Sequence, residues 1–156
     1  MSPRAAWRLE ALGYGEVYDY VAGKSDWIAA GFATEGTTAG RARITDVMDP
    51  HPATCRPDEA VAEVAARVTP SGGGVCVVVN AEQVVRGRLR LDRADPHDTR
   101  LVEAVMEPGP ATVRADADPA ETLERMRRRG ARSLIVSTPE GVLLGVVHAD
   151  ASRQAP

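Results

Sequence analysis

Val47-Met48-Asp49-Pro50-His51-Pro52-Ala53-Thr54 returns 58 residues later as Val105-Met106-Glu107-Pro108-Gly109-Pro110-Ala111-Thr112. The match extends on both sides without a gap, from Asp46–Asp92 onto Ala104–Asp150. About 17 of roughly 47 paired positions are identical, far more than two unrelated segments of this composition would share. A long repeat present twice implies two small folded units that bury their apolar faces against each other.

Both copies carry the same order of elements. A short helical piece, Ile44–Met48 or Leu101–Met106, leads into an extended strip at Thr54-Cys55-Arg56 or Thr112-Val113-Arg114. An amphipathic helix follows. Val61, Val64, Ala65 and Val68 form one apolar stripe in the first copy. In the second copy Asp118 is placed as N-cap, Pro119 at the first helical position and Glu121 at the capping-box position. Leu123 and Met126 form its stripe, and Gly130 ends it. The apolar runs Val75–Val79 and Leu134-Ile135-Val136 have the length of buried strands. Tight turns at Asn80–Gln83 and Thr138–Gly141 lead into Val84-Val85 and Val142–Leu144, which predicts a hairpin in each copy.

These words in this order resemble the cystathionine β-synthase (CBS) domain family, which occurs in tandem as Bateman modules. The residues that carry the resemblance are Asp46-Val47-Met48, Ala104-Val105-Met106, the Pro-Ala-Thr that follows each, and Gly145-Val146-Val147. The resemblance implies an α/β (α+β) fold of two CBS domains packed about a pseudo-twofold axis. The expected boundaries are 44–97 for the first domain and 98–152 for the second, with 37–43 as linker and 153–156 as tail. It also implies a cleft ligand containing adenosine: AMP, ADP, ATP or S-adenosylmethionine.

The family's site signature is a Gly, two hydrophobic residues, a Ser or Thr, two more residues and an Asp. Both copies depart from it. Gly145-Val146-Val147-His148-Ala149-Asp150 has His148 at the hydroxyl position, and its Asp arrives one residue early. Gly87-Arg88-Leu89-Arg90-Leu91-Asp92 has Arg90 there and the same shortening. On this basis the expected ligand residues are Thr54, Arg88, Arg90 and Asp92 from the first copy, with Thr112, His148 and Asp150 from the second. The competing reading makes Asp92 and Asp150 helix N-caps. Arg86, Arg88 and Arg90 alternate along one strand, either to hold a phosphate chain or as the charged face of an edge strand. Arg125, Arg127, Arg128, Arg129 and Arg132 crowd a helix C-terminus, where positive charge suits the macrodipole.

Residues 1–36 lie outside the repeat. A helix over Arg4–Leu12 stopped by Gly13, a strand at Val17–Tyr20 and a capped helix at Ser25–Ala30 are expected. Ala5-Ala6, Leu9, Leu12-Gly13, Val17-Tyr18, Gly23-Lys24, Trp27 and Gly31 resemble the C-terminal end of a rhodanese domain. The catalytic cysteine loop of that family would precede Arg4, so the segment is expected to be a remnant without sulfurtransferase activity, from gene decay or a start site upstream. Cys55 and Cys76 sit among apolar residues and read as small buried hydrophobes. All six aromatic residues lie between Trp7 and Phe32, too many for so short a segment to bury alone.

A net charge of −3, no basic tail and 4% aromatics argue against nucleic-acid binding. The longest apolar run falls well below the roughly 18 residues of a membrane span. Two unrelated cysteines suit a reducing, cytoplasmic setting. No phosphate loop, metal set or nucleophile triad is present, so an enzyme is not expected and neither is a required cofactor or metal. Two main readings remain: a regulatory ligand sensor, as a homodimer with an unidentified protein partner, or a ligand-free dimerisation and protein-interaction module. A degenerate sulfurtransferase is the third.

Overall fold

The 58-residue period of the sequence is reproduced bond by bond in the backbone. The computed structural model describes residues 3–36, 40–68 and 74–150. In the first half, β1 (Thr54–Cys55) pairs in parallel with β2 (Val75–Val79), which pairs antiparallel with β3 (Val85–Arg90). A connecting helix, α3 (Val61–Arg67), crosses between β1 and β2. The second half repeats this with β5 (Thr112–Arg114), α5 (Pro119–Arg129), β6 (Ser133–Ser137) and β7 (Leu143–His148). Thr54 faces Val77 and Thr112 faces Ile135; Val78 faces Gly87 and Val136 faces Gly145. Even the irregularity recurs: both hairpins slip register at the same place, between Val78 and Val79 and between Val136 and Ser137.

The two halves exchange their opening segments. The 3₁₀ turn Ile44–Asp46, which precedes the first half, seats Ile44 and Met48 in the core of the second half with Val113, Met126, Val136 and Val147. Conversely, α4 (Val102–Val105) and Met106 complete the first core beside Cys55, Val61, Val64, Cys76 and Leu89. The hydrogen bonds are related in the same way: Val102 N donates to Glu59 O at 2.9 Å, and Ile44 N to Ala117 O at 2.8 Å. A short strand, β4 (Glu107–Pro108), borders β3, and Asp49 makes the matching bridge to Val146. Close backbone approach requires Gly87 and Gly145 here. A Cβ on Gly145 would lie 2.5 Å from the Asp49 carbonyl oxygen.

Between the sheets, Val77, Val79, Ile135 and Val146 form a third core. Burying a valine completely contributes roughly 1.5–3 kcal/mol, so this layer is a substantial bond between the halves. The pseudo-twofold axis passes where Val84 bridges Val142. There Val85 N donates to Gly141 O and Leu143 N to Gln83 O, both at 2.9 Å.

The two helices differ in how they start. Asp118 accepts from Glu121 N at 2.9 Å, Pro119 opens α5, and Gly130 closes it at φ 62°. At the equivalent N-cap of α3 stands Ala60, which has no side-chain acceptor, and that helix is four residues shorter (7 against 11).

Five sequence expectations are corrected. Val17–Tyr20 is not a strand, because no neighbouring strand offers the segment hydrogen bonds. The second N-terminal helix is α2 (Gly23–Ala29), after α1 (Pro3–Ala11), and it begins two residues early without a side-chain cap. Ser25 instead accepts a hydrogen bond from Arg114 Nη2 and faces Asp116, which with buried Ile28 fastens α2 to the second half. No helix follows Asp92, so that residue is not an N-cap. Finally, Arg86 leaves the arginine row: it is the extra residue of the bulge, between Val85 opposite Val79 and Gly87 opposite Val78. Nor is β3 an edge strand, since β4 covers it.

Candidate functional site

Arg88 and Arg90 reach the space between the halves because of their register. They stand opposite Val77 and Val75 on β2, and directly paired residues share a face of the sheet. Val77 belongs to the core between the sheets, so both guanidiniums lie on the face turned toward the second half. There they meet the C-terminal end of α5. A groove of about 500 Å³ is lined by Val75, Arg88, Arg90, Asp92, Arg93 and the stretch Arg129–Ser133.

A second cavity of about 220 Å³ shares Val75, Arg88, Arg129, Ala131 and Ser133 with it and extends toward Pro110, Ala111, Met126, Leu134 and Ile135. Together they form one continuous groove with two unlike ends. The end beneath Pro110-Ala111 is mainly apolar, although Arg125 also lines it, and suits a flat heterocycle. The other end is basic.

Two ion pairs position the β3 arginines. Arg90 donates from Nε and Nη2 to the two oxygens of Asp92, at 3.0 and 2.9 Å. This bidentate pair holds the Asp92 carboxyl below the usual carboxylate range and raises Arg90. Arg88 Nε donates to Glu107 Oε2 at 2.5 Å, across the β3–β4 ladder. Arg93, Arg129 and Arg132 make no side-chain hydrogen bond or ion pair with any described residue.

Of the residues expected from the sequence, the structure thus gathers Arg88, Arg90 and Asp92. It does not bring Thr54, Thr112, His148 or Asp150 into that lining. Thr54 is half-buried opposite Val77, and Thr112 is exposed opposite Ile135. His148 stands opposite Ser133, its Nδ1 buried and without a hydrogen-bond partner among the described residues. Asp150 is exposed. Sequence reading treated Arg129 and Arg132 as a helix-end cluster and passed over Arg93. Their place in the groove depends on packing between the halves, though the density of arginine around Gly130 was a usable signal.

The cysteines do not form a reactive centre. Both are free and buried, and the hydrogen bond to Cys76, then burial, push the Cys55 thiol up. Among the described residues no group of three or more His, Cys, Asp and Glu is arranged for a metal ion. No described helix is long and apolar enough to cross a membrane.

This architecture of two exchanged, twofold-related units with a ligand-sized groove between them is a CBS-pair fold, the Bateman module. The CBS domain family model matches residues 102–151. Among curated proteins none matches the chain.

Three solved structures are similar. Protein MJ1004 from Methanocaldococcus jannaschii is 19% identical with a TM-score of 0.64, over 72% of this chain and 58% of that one. The cytosolic domain of the Mg2+ channel MgtE, solved in complex with ATP, is 27% identical with a TM-score of 0.56, over 68% of this chain and 45% of that one. The CBS domain of the bacterial CNNM/CorC family Mg2+ transporter, also in complex with ATP, is 19% identical with a TM-score of 0.59, over 72% and 85%. The chain therefore spans about half the length of the first two.

Proposed function

We propose that this chain is a non-catalytic regulatory CBS pair that senses an adenosine-containing ligand (AMP, ADP, ATP or S-adenosylmethionine) in the groove between its halves. The observation that carries the reading is the groove's polarity, apolar beneath Pro110-Ala111 and basic around Arg88, Arg90, Arg129 and Arg132. A base at one end and phosphates at the other would each meet complementary surface. The ATP complexes of the MgtE and CNNM/CorC domains support it. Arg88 and Arg90 are proposed as phosphate ligands. Thr54, His148 and Asp150 remain candidates for the twofold-related cleft, and Thr112, next to Ala111 and opposite Ile135, for the apolar end of the described groove.

A melting screen against the four ligands and NAD tests this. A ligand at 100 times its dissociation constant stabilises the fold by about 2.7 kcal/mol, and for a chain of this size the midpoint should rise roughly 5–10 °C. No shift with any adenosine compound would remove the reading.

A second reading rests on the N-terminal segment. Trp7, Tyr14, Tyr18 and Phe32 are exposed, at 68%, 62%, 80% and 48%. Trp27 packs on Tyr20 and Phe32 but shields little of the rest. A homodimer, or a protein partner, would cover this surface. Light scattering on the full chain distinguishes a dimer from a monomer, and Tyr18→Ser with Trp7→Ser should release one. The rhodanese-like reading draws no support, since the expected strand is absent and both thiols are buried.

A further inference from the structure

The basic end of the groove holds more charge than a single phosphate requires. Arg88 and Arg90 come from β3, Arg93 from the turn after it, and Arg129 and Arg132 from the end of α5. Asp92 is the one carboxylate in that lining, and Arg90 already occupies both its oxygens. Glu107 neutralises Arg88 from outside the lining, so five guanidiniums against two carboxylates leave an excess of three positive charges. Like charges gathered from separate elements repel one another, so the site is stabilised by whatever neutralises them.

We propose that the groove selects its ligand by a chain of three or more consecutive phosphates, and that a bare triphosphate suffices to bind. This deepens the sensor reading and rests on it for the place of the site. The negative charge of an inorganic triphosphate near neutral pH is enough to neutralise that excess, and that of a single phosphate is not. Guanidinium forks take phosphate oxygens in pairs, and three of the five have no side-chain hydrogen bond or ion pair to a described residue to give up. Recognition of a sugar is correspondingly weak. The carboxylate that would accept hydrogen bonds from a ribose diol is already engaged by Arg90 at both oxygens, which leaves it a weaker acceptor for a diol.

The pseudo-twofold axis sharpens the inference to one ligand per chain. Moved by 58 residues, Arg88, Arg90 and Arg132 become Val146, His148 and Gly74, while Arg93 and Arg129 become Ala151 and Ser71 in the sequence. The related cleft therefore has none of the five.

Titration calorimetry of the full chain in magnesium-free buffer, near 0.15 M salt, tests the proposal. The ligands are orthophosphate, pyrophosphate, tripolyphosphate, AMP, ADP and ATP. Affinity should rise roughly tenfold with each added phosphate in both series, a gain within the range of one charge-assisted hydrogen bond. Tripolyphosphate should bind with a stoichiometry of one and displace ATP. Arg129→Gln with Arg132→Gln should weaken tripolyphosphate by roughly 30-fold or more, whereas Arg8→Gln on α1 should not.

Equal affinity for AMP, ADP and ATP with no binding of tripolyphosphate would overturn the inference and leave the adenosine reading standing. Tripolyphosphate binding with ATP no tighter would sustain the inference and remove the adenosine reading. Absence of binding throughout would end both. Equal losses from Arg8→Gln and from the groove variant would also overturn it, as a general charge effect.

Discussion

The two halves of this molecule share a backbone and differ in chemistry. Every ladder pair of β1–β3 has its partner in β5–β7 at the same offset, bulge included. Yet the strand that presents Arg88 and Arg90 in one half presents Val146 and His148 in the other. Duplication fixed the scaffold because main-chain hydrogen bonds and the apolar face tolerate few alternatives. The cleft-facing positions carry no such constraint, and there the copies diverge.

The largest effect is expected where the halves interlock. Gly145→Ala drives a Cβ to 2.5 Å from a main-chain oxygen of Asp49, so about 3 kcal/mol should be lost in urea unfolding. Gly87→Ala meets first the flexible end of Met106, at 2.6 Å, and should lose only about 1 kcal/mol. Equal losses would mean that the two seams are equivalent. A second test makes the first half resemble the second. Arg88→Val with Arg90→His should cut tripolyphosphate affinity roughly 30-fold while changing stability by less than about 1 kcal/mol, since the ion pairs removed are partly exposed.

The helix starts offer a smaller test in both directions. Asp118→Ala should remove about 1 kcal/mol from the second half. Ala60→Asp, which gives α3 the cap it lacks, should add a few tenths to about 1 kcal/mol. Failure of the gain would show that Ala60, bridged to Leu101, leaves no room for a capping geometry.

The smallest effect concerns acid. Arg90 holds the Asp92 carboxyl below its ordinary value, so the pair contributes stability above the unfolded carboxylate value of about 3.9. That contribution is lost as pH falls through the lower folded value. Thermal melts should therefore separate Asp92→Asn from the parent above about pH 4 and bring them together below it. His148, at Arg90's place in the second half, makes no such pair with a described residue.

How far the site could be read beforehand follows from the kind of contact involved. The α5 cap, the Gly130 stop and the buried apolar runs of β2 and β6 are local or periodic features, and they were legible. The segment Val17–Tyr20 was misread because β-propensity marks a half-buried surface, and no sheet edge lies beside it. Arg86 was misread because strict alternation assumes an unbroken ladder, and a bulge intervenes.

The sequence by itself determined the repeat, the order of elements, the buried apolar strand of each half and the unequal charge of the two copies. Those follow from hydrophobic period and residue identity, which act over a few neighbours. Only the tertiary structure decided that each half borrows its opening segment from the other's side, and that Arg129 and Arg132 stand across a groove from Arg88 and Arg90. The physical reason is distance along the chain. Such meetings are set by how two sheets pack about an axis, and no local preference of Arg88 or Arg132 encodes which of the two clefts they will share.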